Sequence, residues 1–267
     1  MKTFLIDLEK CTGCYACQIG CKDEHCEQAW MPYAEAQPET GQFWMKVNER
    51  ERGSRPHVKV AYIPTPCQHC ADAPCMAAAE DGAVYRRADG LVIIDPAKAK
   101  GQKAIMDACP YGAVYWNDAL DIPQKCTGCA HLIDEGDTIT VPRCYDNCVH
   151  GAITWGEEAE LDLEGAERLY PEYGTSPQVW YKHLPKKYIA GRVYDPVEKE
   201  VVIGAKVTAT GEAGEFEAET NWIGDFWLRD LPAADWVVTI EADGKRKVIE
   251  TSTKAKDIGL GDVALEG

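Results

Sequence analysis

Cys11, Cys14, Cys17 and Cys21, separated by two, two and three residues, restrict what this chain can fold around more than any other feature. Tetrahedral zinc is held by two short knuckles and has no use for four cysteines packed this tightly. A compact polynuclear cluster does, because a tight loop with cysteines three apart reaches several of its metals. Three further groups follow: Cys67, Cys70 and Cys75; Cys109 alone; and Cys126, Cys129, Cys144 and Cys148. All 13 cysteines lie between Cys11 and Cys148, and the last 119 residues have none. The opening residues lack a basic stretch followed by an apolar one, no twin-arginine pair precedes the first group, and no run approaches ~18 apolar residues. The expectation is a reduced, cytoplasmic setting without membrane insertion, where clustered cysteine signals metal chemistry rather than disulfides.

Internal repeats relate the groups. A shift of 88 places Ile6-Asp7 on Ile94-Asp95, Lys10 on Lys98, Gly13 on Gly101 and Cys21 on Cys109. The same shift places Cys11, Cys14 and Cys17 on Ala99, Gln102 and Ile105. A shift of 115 superposes Lys10-Cys11-Thr12-Gly13-Cys14 on Lys125-Cys126-Thr127-Gly128-Cys129. A second repeat, Gly-Ala followed by a β-branched residue, begins at Gly82, Gly112 and Gly151, three residues after Ala79, Cys109 and Cys148. Intact and decayed copies of one unit are therefore present.

In two-cluster bacterial ferredoxins, whose spacing the first group reproduces, the fourth cysteine of a run ligates the other cluster. Applied to the repeats, this crossing rule gives Cys11, Cys14, Cys17 and Cys148 for one cubane, and Cys126, Cys129, Cys144 and Cys21 for a second. Cys67, Cys70, Cys75 and Cys109 make a third. A fourth site would use positions 79, 99, 102 and 105, where Ala79, Ala99, Gln102 and Ile105 now stand. All four replacements fall on one site, and Cys26 is left over as a free thiol. Two cubanes share the first and fourth groups and are expected to lie close together; the third, without its former neighbour, is expected to stand apart.

The fold class expected is α+β. A tandem ferredoxin-like domain occupies 1–184, with an outer unit of 1–31 and 121–184 and an inserted unit of 32–120. Strands are predicted at Phe43–Val47, Val58–Tyr62 and Gly90–Ile94, and a short helix between Glu157 and Leu169. Beyond Pro185, Val-, Thr- and aromatic-rich segments at Tyr188–Val193, Val201–Thr210, Glu215–Thr220, Asp225–Leu228, Trp236–Ala242 and Lys247–Thr251 predict a small antiparallel sandwich or barrel over 185–267.

The formal charge of −16 excludes a nucleic-acid binder, which needs a basic surface. Each oxidised cubane with four thiolates adds about −2, bringing a loaded chain near −22 and favouring a partner with a basic docking face. His69, between Cys67 and Cys70, is expected to pack or hydrogen-bond beside its cluster and tune its potential. Lys22, Lys125 and Arg143 flank ligands as charge-balancing or solvated groups. Trp116 and Trp155 are expected in the core. No acid–base or nucleophilic constellation accompanies the cysteines, so the chain reads as an electron carrier rather than a self-sufficient enzyme.

The four-group pattern resembles the iron–sulfur subunit of the dimethyl sulfoxide reductase family of molybdenum enzymes. The segments that carry the likeness are Cys67-Gln68-His69-Cys70-Ala71-Asp72-Ala73-Pro74-Cys75, Cys109-Pro110-Tyr111-Gly112, Gln124-Lys125-Cys126-Thr127-Gly128-Cys129 and Gly174 to Tyr181. Loss of one whole site together with a C-terminal β domain is most similar to the small subunits of pyrogallol–phloroglucinol transhydroxylase and resorcinol hydroxylase. The resemblance implies three [4Fe-4S] clusters on the twelve cysteines paired above. It also implies a large catalytic subunit carrying molybdenum and molybdopterin guanine dinucleotide, acting on polyhydroxylated phenols. Two other readings remain at this point: a wire for a membrane-linked respiratory reductase, and a binding module whose clusters only hold the fold.

Overall fold

The computed structural model describes residues 1–135 and 138–266. The chain divides into two compact units, one of residues 1–49 and 62–184, the other of residues 50–61 and 185–267. Among the described residues no helix is long and apolar enough to cross a membrane.

The first unit is built from the repeat seen in the sequence. An entering strand leads to a cysteine turn or its decayed counterpart, then a short helix, a last ligand position, a glycine turn and a leaving strand. The entering strands are Lys2–Asp7, Val92–Ile94 and Ile122–Lys125. The helices are Ala16–His25, Pro74–Ala77, Ala104–Asp107 and Arg143–Asp146, and a further one, Ala130–Glu135, follows the Cys126–Cys129 turn. Gly82, Gly112 and Gly151 adopt φ of 66°, 59° and 61°, a left-handed conformation that only glycine takes without steric cost. Each releases the chain into a leaving strand: Val84–Arg86, Val114–Asn117 or Ile153–Glu157.

Strand pairing then brings distant modules together. Ile153–Glu157 runs antiparallel to Lys2–Asp7, with Ile6 opposite Ile153, so the first and fourth cysteine groups meet. Val84–Arg86 pairs with Val92–Ile94, joining the second group to the third. Trp180–Lys182 adds to Lys2–Asp7 in parallel, placing Tyr181 beside Ile6. Phe4, Ile6, Trp44, Met45, Leu91, Ile93 and Tyr181 are fully buried beneath these strands. Such side chains each contribute roughly 1.5–3 kcal/mol on leaving water, which is what holds such short elements in place.

The helix expected between Glu157 and Leu169 does not form. That stretch holds one 3-10 turn at Glu158–Glu160 and a two-residue strand at Glu167–Arg168. Ala159, Leu163, Ala166 and Leu169 do stand at helical spacing, but Asp162 turns the backbone, accepting from the Glu164 N–H at 3.2 Å, and Gly165 at φ 69° leaves the helical region. Trp155 is buried, as expected of a core aromatic, but Trp116 is only half-buried.

The second unit takes in the turn of the Lys46–Ser54/His57–Thr65 hairpin, a segment expected to lie wholly within the inserted unit. Tyr188 Oη donates to the carbonyls of Arg52 and His57 at 2.7 and 3.1 Å, and Arg52 pairs with Asp257 at 2.7 Å. No local pattern in residues 50–61 announces those partners. The remainder is a pair of open four-stranded sheets, not a barrel. Gly214–Glu219, Lys206–Gly211, Asp235–Ala242 and Lys245–Ser252 form one. Glu200–Val201, Lys187–Asp195 and Asp225–Leu231 form the other, and Ile258–Ala264 joins Lys187–Asp195 in parallel. That last strand has little signal in the sequence because glycines at 259 and 261 dilute its β character. Val207, Ala209, Val238 and Ile240 alternate inward with polar neighbours, the period-two pattern of a sandwich face.

Candidate iron–sulfur sites

The cysteine turns share one local geometry. The third residue of Cys-Thr-Gly-Cys and of Cys-Gln-His-Cys is left-handed: Gly13 at φ 68°, His69 at 44° and Gly128 at 65°. This conformation folds the third N–H back onto the first sulfur, at 3.4 Å for His69 to Cys67 and 3.4 Å for Gly128 to Cys126; Gly13 makes the same bond to Cys11. A Cβ on Gly13 would lie 2.4 Å from the Tyr62 ring, so no other residue fits there.

Three sets of four thiols result. Cys11, Cys14, Cys17 and Cys148 line a recess of about 330 Å³, part of it open to solvent, with the Ile153 N–H 3.4 Å from the Cys148 sulfur. Cys67, Cys70, Cys75 and Cys109 line a second of about 340 Å³, together with His69, Val92 and Tyr111. Cys21, Cys126, Cys129 and Cys144 are gathered in the interior, each buried and each acting electrostatically on others of the set. Among the described residues no three Cys, His, Asp or Glu side chains converge on a single metal ion. The thiols surround cages instead.

As bare thiols these groups resist ionisation. Burial and then the neighbouring thiols push Cys17 up to about 12, while burial pushes Cys129 to about 12 and Cys70, Cys75 and Cys126 to about 11. Cys21 and Cys144, wholly enclosed, lie well above the ordinary thiol range. Four thiolates can share such a cage only around a cationic core, and backbone N–H groups already aimed at the sulfurs favour the thiolate form. The residues present fit a [4Fe-4S] cluster, which when bound stores and releases single electrons.

The cages are contiguous. The helix Ala16–His25 carries both Cys17 and Cys21, and Cys17 acts on Cys144. The Cys67 backbone N–H bonds the Cys126 thiol, so the cage of the second and third groups adjoins the interior one. The expectation that this third site stands apart is therefore overturned. Hairpin pairing alone does not reveal this contact, because the strands that precede Cys67 and Cys126 belong to two separate hairpins.

Groups around the cages include several with no signal in the sequence. Glu24 accepts from His131 Nε2 at 2.9 Å and from Arg143 Nε, tying together the helices that carry Cys21, Cys144 and the residue after Cys129. Burial outweighs the carboxylate and lowers the His131 pKa, so His131 bonds as a neutral donor. His25 Nε2 stands 3.8 Å from the Cys129 sulfur. Arg86 donates to the carbonyls of His69, Cys70, Ala71 and Gly90, clamping the Cys67–Cys70 turn. Thr175, in the Gly174–Tyr181 segment, bonds Cys70. Lys125 is buried rather than solvated, whereas Lys22 donates to the carbonyls of Pro38 and Gly41. Cys26 is half-buried, its sulfur 4.0 Å from the Pro38 carbonyl.

The fourth position set is filled by protein. Ala99 and Ile105 are wholly buried in a cluster that Ala79 packs against. Gln102 Oε1 accepts from the Glu80 N–H at 2.9 Å, and its Nε2 donates to the Lys98 carbonyl at 2.9 Å. An amide thus satisfies backbone groups while alkyl side chains occupy the interior.

Comparison with known proteins agrees with this architecture. The family described as "4Fe-4S dicluster domain" matches residues 58–158, and "Carboxypeptidase regulatory-like domain" matches 188–265. The pyrogallol hydroxytransferase small subunit of Pelobacter acidigallici is 41% identical over 98% of this chain and 98% of its own. A subunit of the tetrathionate reductase of Salmonella typhimurium is 30% identical, covering 74% of this chain and 79% of its own. A subunit of the anaerobic dimethyl sulfoxide reductase of Escherichia coli is 30% identical over 67% and 87%. With thiol cages of the required chemistry and full-length likeness to the first of these relatives, this protein belongs to the electron-transferring iron–sulfur subunits of the dimethyl sulfoxide reductase family of molybdenum enzymes, related to the pyrogallol hydroxytransferase small subunit.

Proposed function

We propose that this chain carries three [4Fe-4S] clusters and exchanges electrons with a large molybdopterin-containing subunit that transfers or adds hydroxyl groups on polyhydroxylated phenols. The ligands are Cys11, Cys14, Cys17 and Cys148; Cys21, Cys126, Cys129 and Cys144; and Cys67, Cys70, Cys75 and Cys109. The observation that carries the reading is the fourth position set, where Ala79, Ala99, Gln102 and Ile105 form packed protein, while twelve cysteines gather in three sets of four, two of them around recesses. The phenolic substrate class rests on the pyrogallol hydroxytransferase likeness, which extends through the β unit.

The recess of Cys11 and Cys14 is the cage that suits a partner. Cys14 is exposed, and Ile19, Tyr145 and, in the turn after the Arg143–Asp146 helix, Val149 are exposed as well, the last to 75%. Apolar side chains around an electron entry point favour a subunit seated over it. Anaerobic co-purification tests the reading: a large molybdopterin subunit should accompany the chain, with about twelve each of iron and labile sulfide per chain. Iron at about sixteen would sink the cluster count, and a co-purifying membrane-anchor subunit would replace the phenol reading with a respiratory one.

A further inference from the structure

We propose that Lys125 and His69, joined through the Val92 backbone, form an electropositive partition between the Cys67/Cys70/Cys75/Cys109 cage and the Cys21/Cys126/Cys129/Cys144 cage, and raise the potentials of the clusters held there. The proposal rests on the three-cluster reading above. Lys125 is 2% exposed, and its ammonium donates to the Val92 carbonyl and, at 3.0 Å, to the Cys126 carbonyl. Among the described residues no carboxylate pairs with it. A buried cation without an anion is strongly disfavoured, so its counter-charge has to come from the cages themselves. Its field reaches thiols of both, favouring the thiolate forms of Cys75 and Cys109 on one side and of Cys126 on the other.

The Val92 backbone continues the series of hydrogen bonds. Its N–H donates to His69 Nδ1 at 3.0 Å. Nδ1 is therefore the unprotonated nitrogen of the neutral ring, and the proton sits on Nε2. Nε2 is buried with no protein partner, in a side chain that lines the recess with the four thiols. His69 also holds a left-handed backbone where the equivalent turns use Gly13 and Gly128. A strained side chain kept where glycine would be cheaper has a purpose in the cavity it lines. An N–H donor and a fixed cation both stabilise the extra electron of a reduced cluster, so both residues are positioning groups for potential rather than ligands.

The test is an EPR-monitored redox titration of the full chain, purified anaerobically with whatever subunit accompanies it. Lys125→Met should move two midpoint potentials to more negative values and leave that of the Cys11/Cys14/Cys17/Cys148 cluster in place. Lys125→Arg should restore most of the shift. His69→Phe should lower only one of the two affected potentials. Unmoved potentials in both variants, or an equal shift of all three, would overturn the proposal. Should Lys125→Met not accumulate, the milder His69→Phe decides, because its single-cluster shift supports the partition and an unchanged titration refutes it. Iron content of the unaltered chain tests the cluster count separately: a count other than about twelve defeats the three-cluster reading without touching the measured shifts.

Discussion

Replacing Glu24 by alanine strips the interior cage of a side chain that binds its three helical segments together. The carboxylate is buried, accepting from buried His131 and from Arg143, whose side chain is 26% exposed. A hydrogen bond to a charged group contributes about 1.5–3 kcal/mol. Solvent screening puts the Arg143 bond at the low end, while the His131 bond sits nearer the middle, so alanine should cost the local structure about 3–4 kcal/mol. Unfolding of a cluster protein is not two-state, so a release rate is the better readout than a melting curve. If cage opening governs release, about 3 kcal/mol accelerates it roughly a hundredfold at one site. Incubation with an iron chelator under reducing, anaerobic conditions, followed by EPR and iron analysis, should show about one third of the iron leaving early. Glu24→Gln, which keeps one accepting oxygen, should fall between. Release within twofold of the unaltered protein, or equal acceleration at all three sites, would refute the tethering role.

Gly112→Ala meets no neighbouring atom and should cost only the left-handed backbone penalty of about 1–2 kcal/mol, measurable as a modest fall in thermal stability. Gly13→Ala adds a collision with Tyr62 and should yield protein lacking the Cys11/Cys14/Cys17/Cys148 cluster; normal iron content would contradict this. His25→Phe removes the polar contact to Cys129 while retaining a ring against Trp44, so the interior cluster alone should titrate at a more negative potential. Gln102→Ala leaves the Glu80 N–H without its acceptor and should destabilise the fold by about 1 kcal/mol with cluster content unchanged, as read by EPR signal and thermal stability together.

Residues differ in how plainly they announce their place in the fold. The αL glycines of Cys-Thr-Gly-Cys and of the Gly-Ala turns are written locally, because a backbone conformation tied to one residue type leaves a mark in any sequence. Most strands of the β unit are legible for a similar reason, through period-two alternation, but Ile258–Ala264 is not, because its glycines bury little. The helix expected at 157–169 is absent although four of its apolar residues keep helical spacing, because the Asp162 turn and the left-handed Gly165 break the run. Glu24, Arg86 and the 50–61 turn give no sign, since a charged residue or a hairpin looks solvated until its partner across the fold is known.

The sequence by itself determined which cysteines are related, because repeats preserve the spacing and order of a duplicated unit. It also singled out one set of four positions, now Ala79, Ala99, Gln102 and Ile105, on which every replacement falls. Only the tertiary structure decided that Lys125 is buried, that Cys67 meets Cys126, and that the third cage adjoins the interior one. Those facts depend on how strands from separate modules pair, and pairing is set by the whole buried core rather than by any local run of residues.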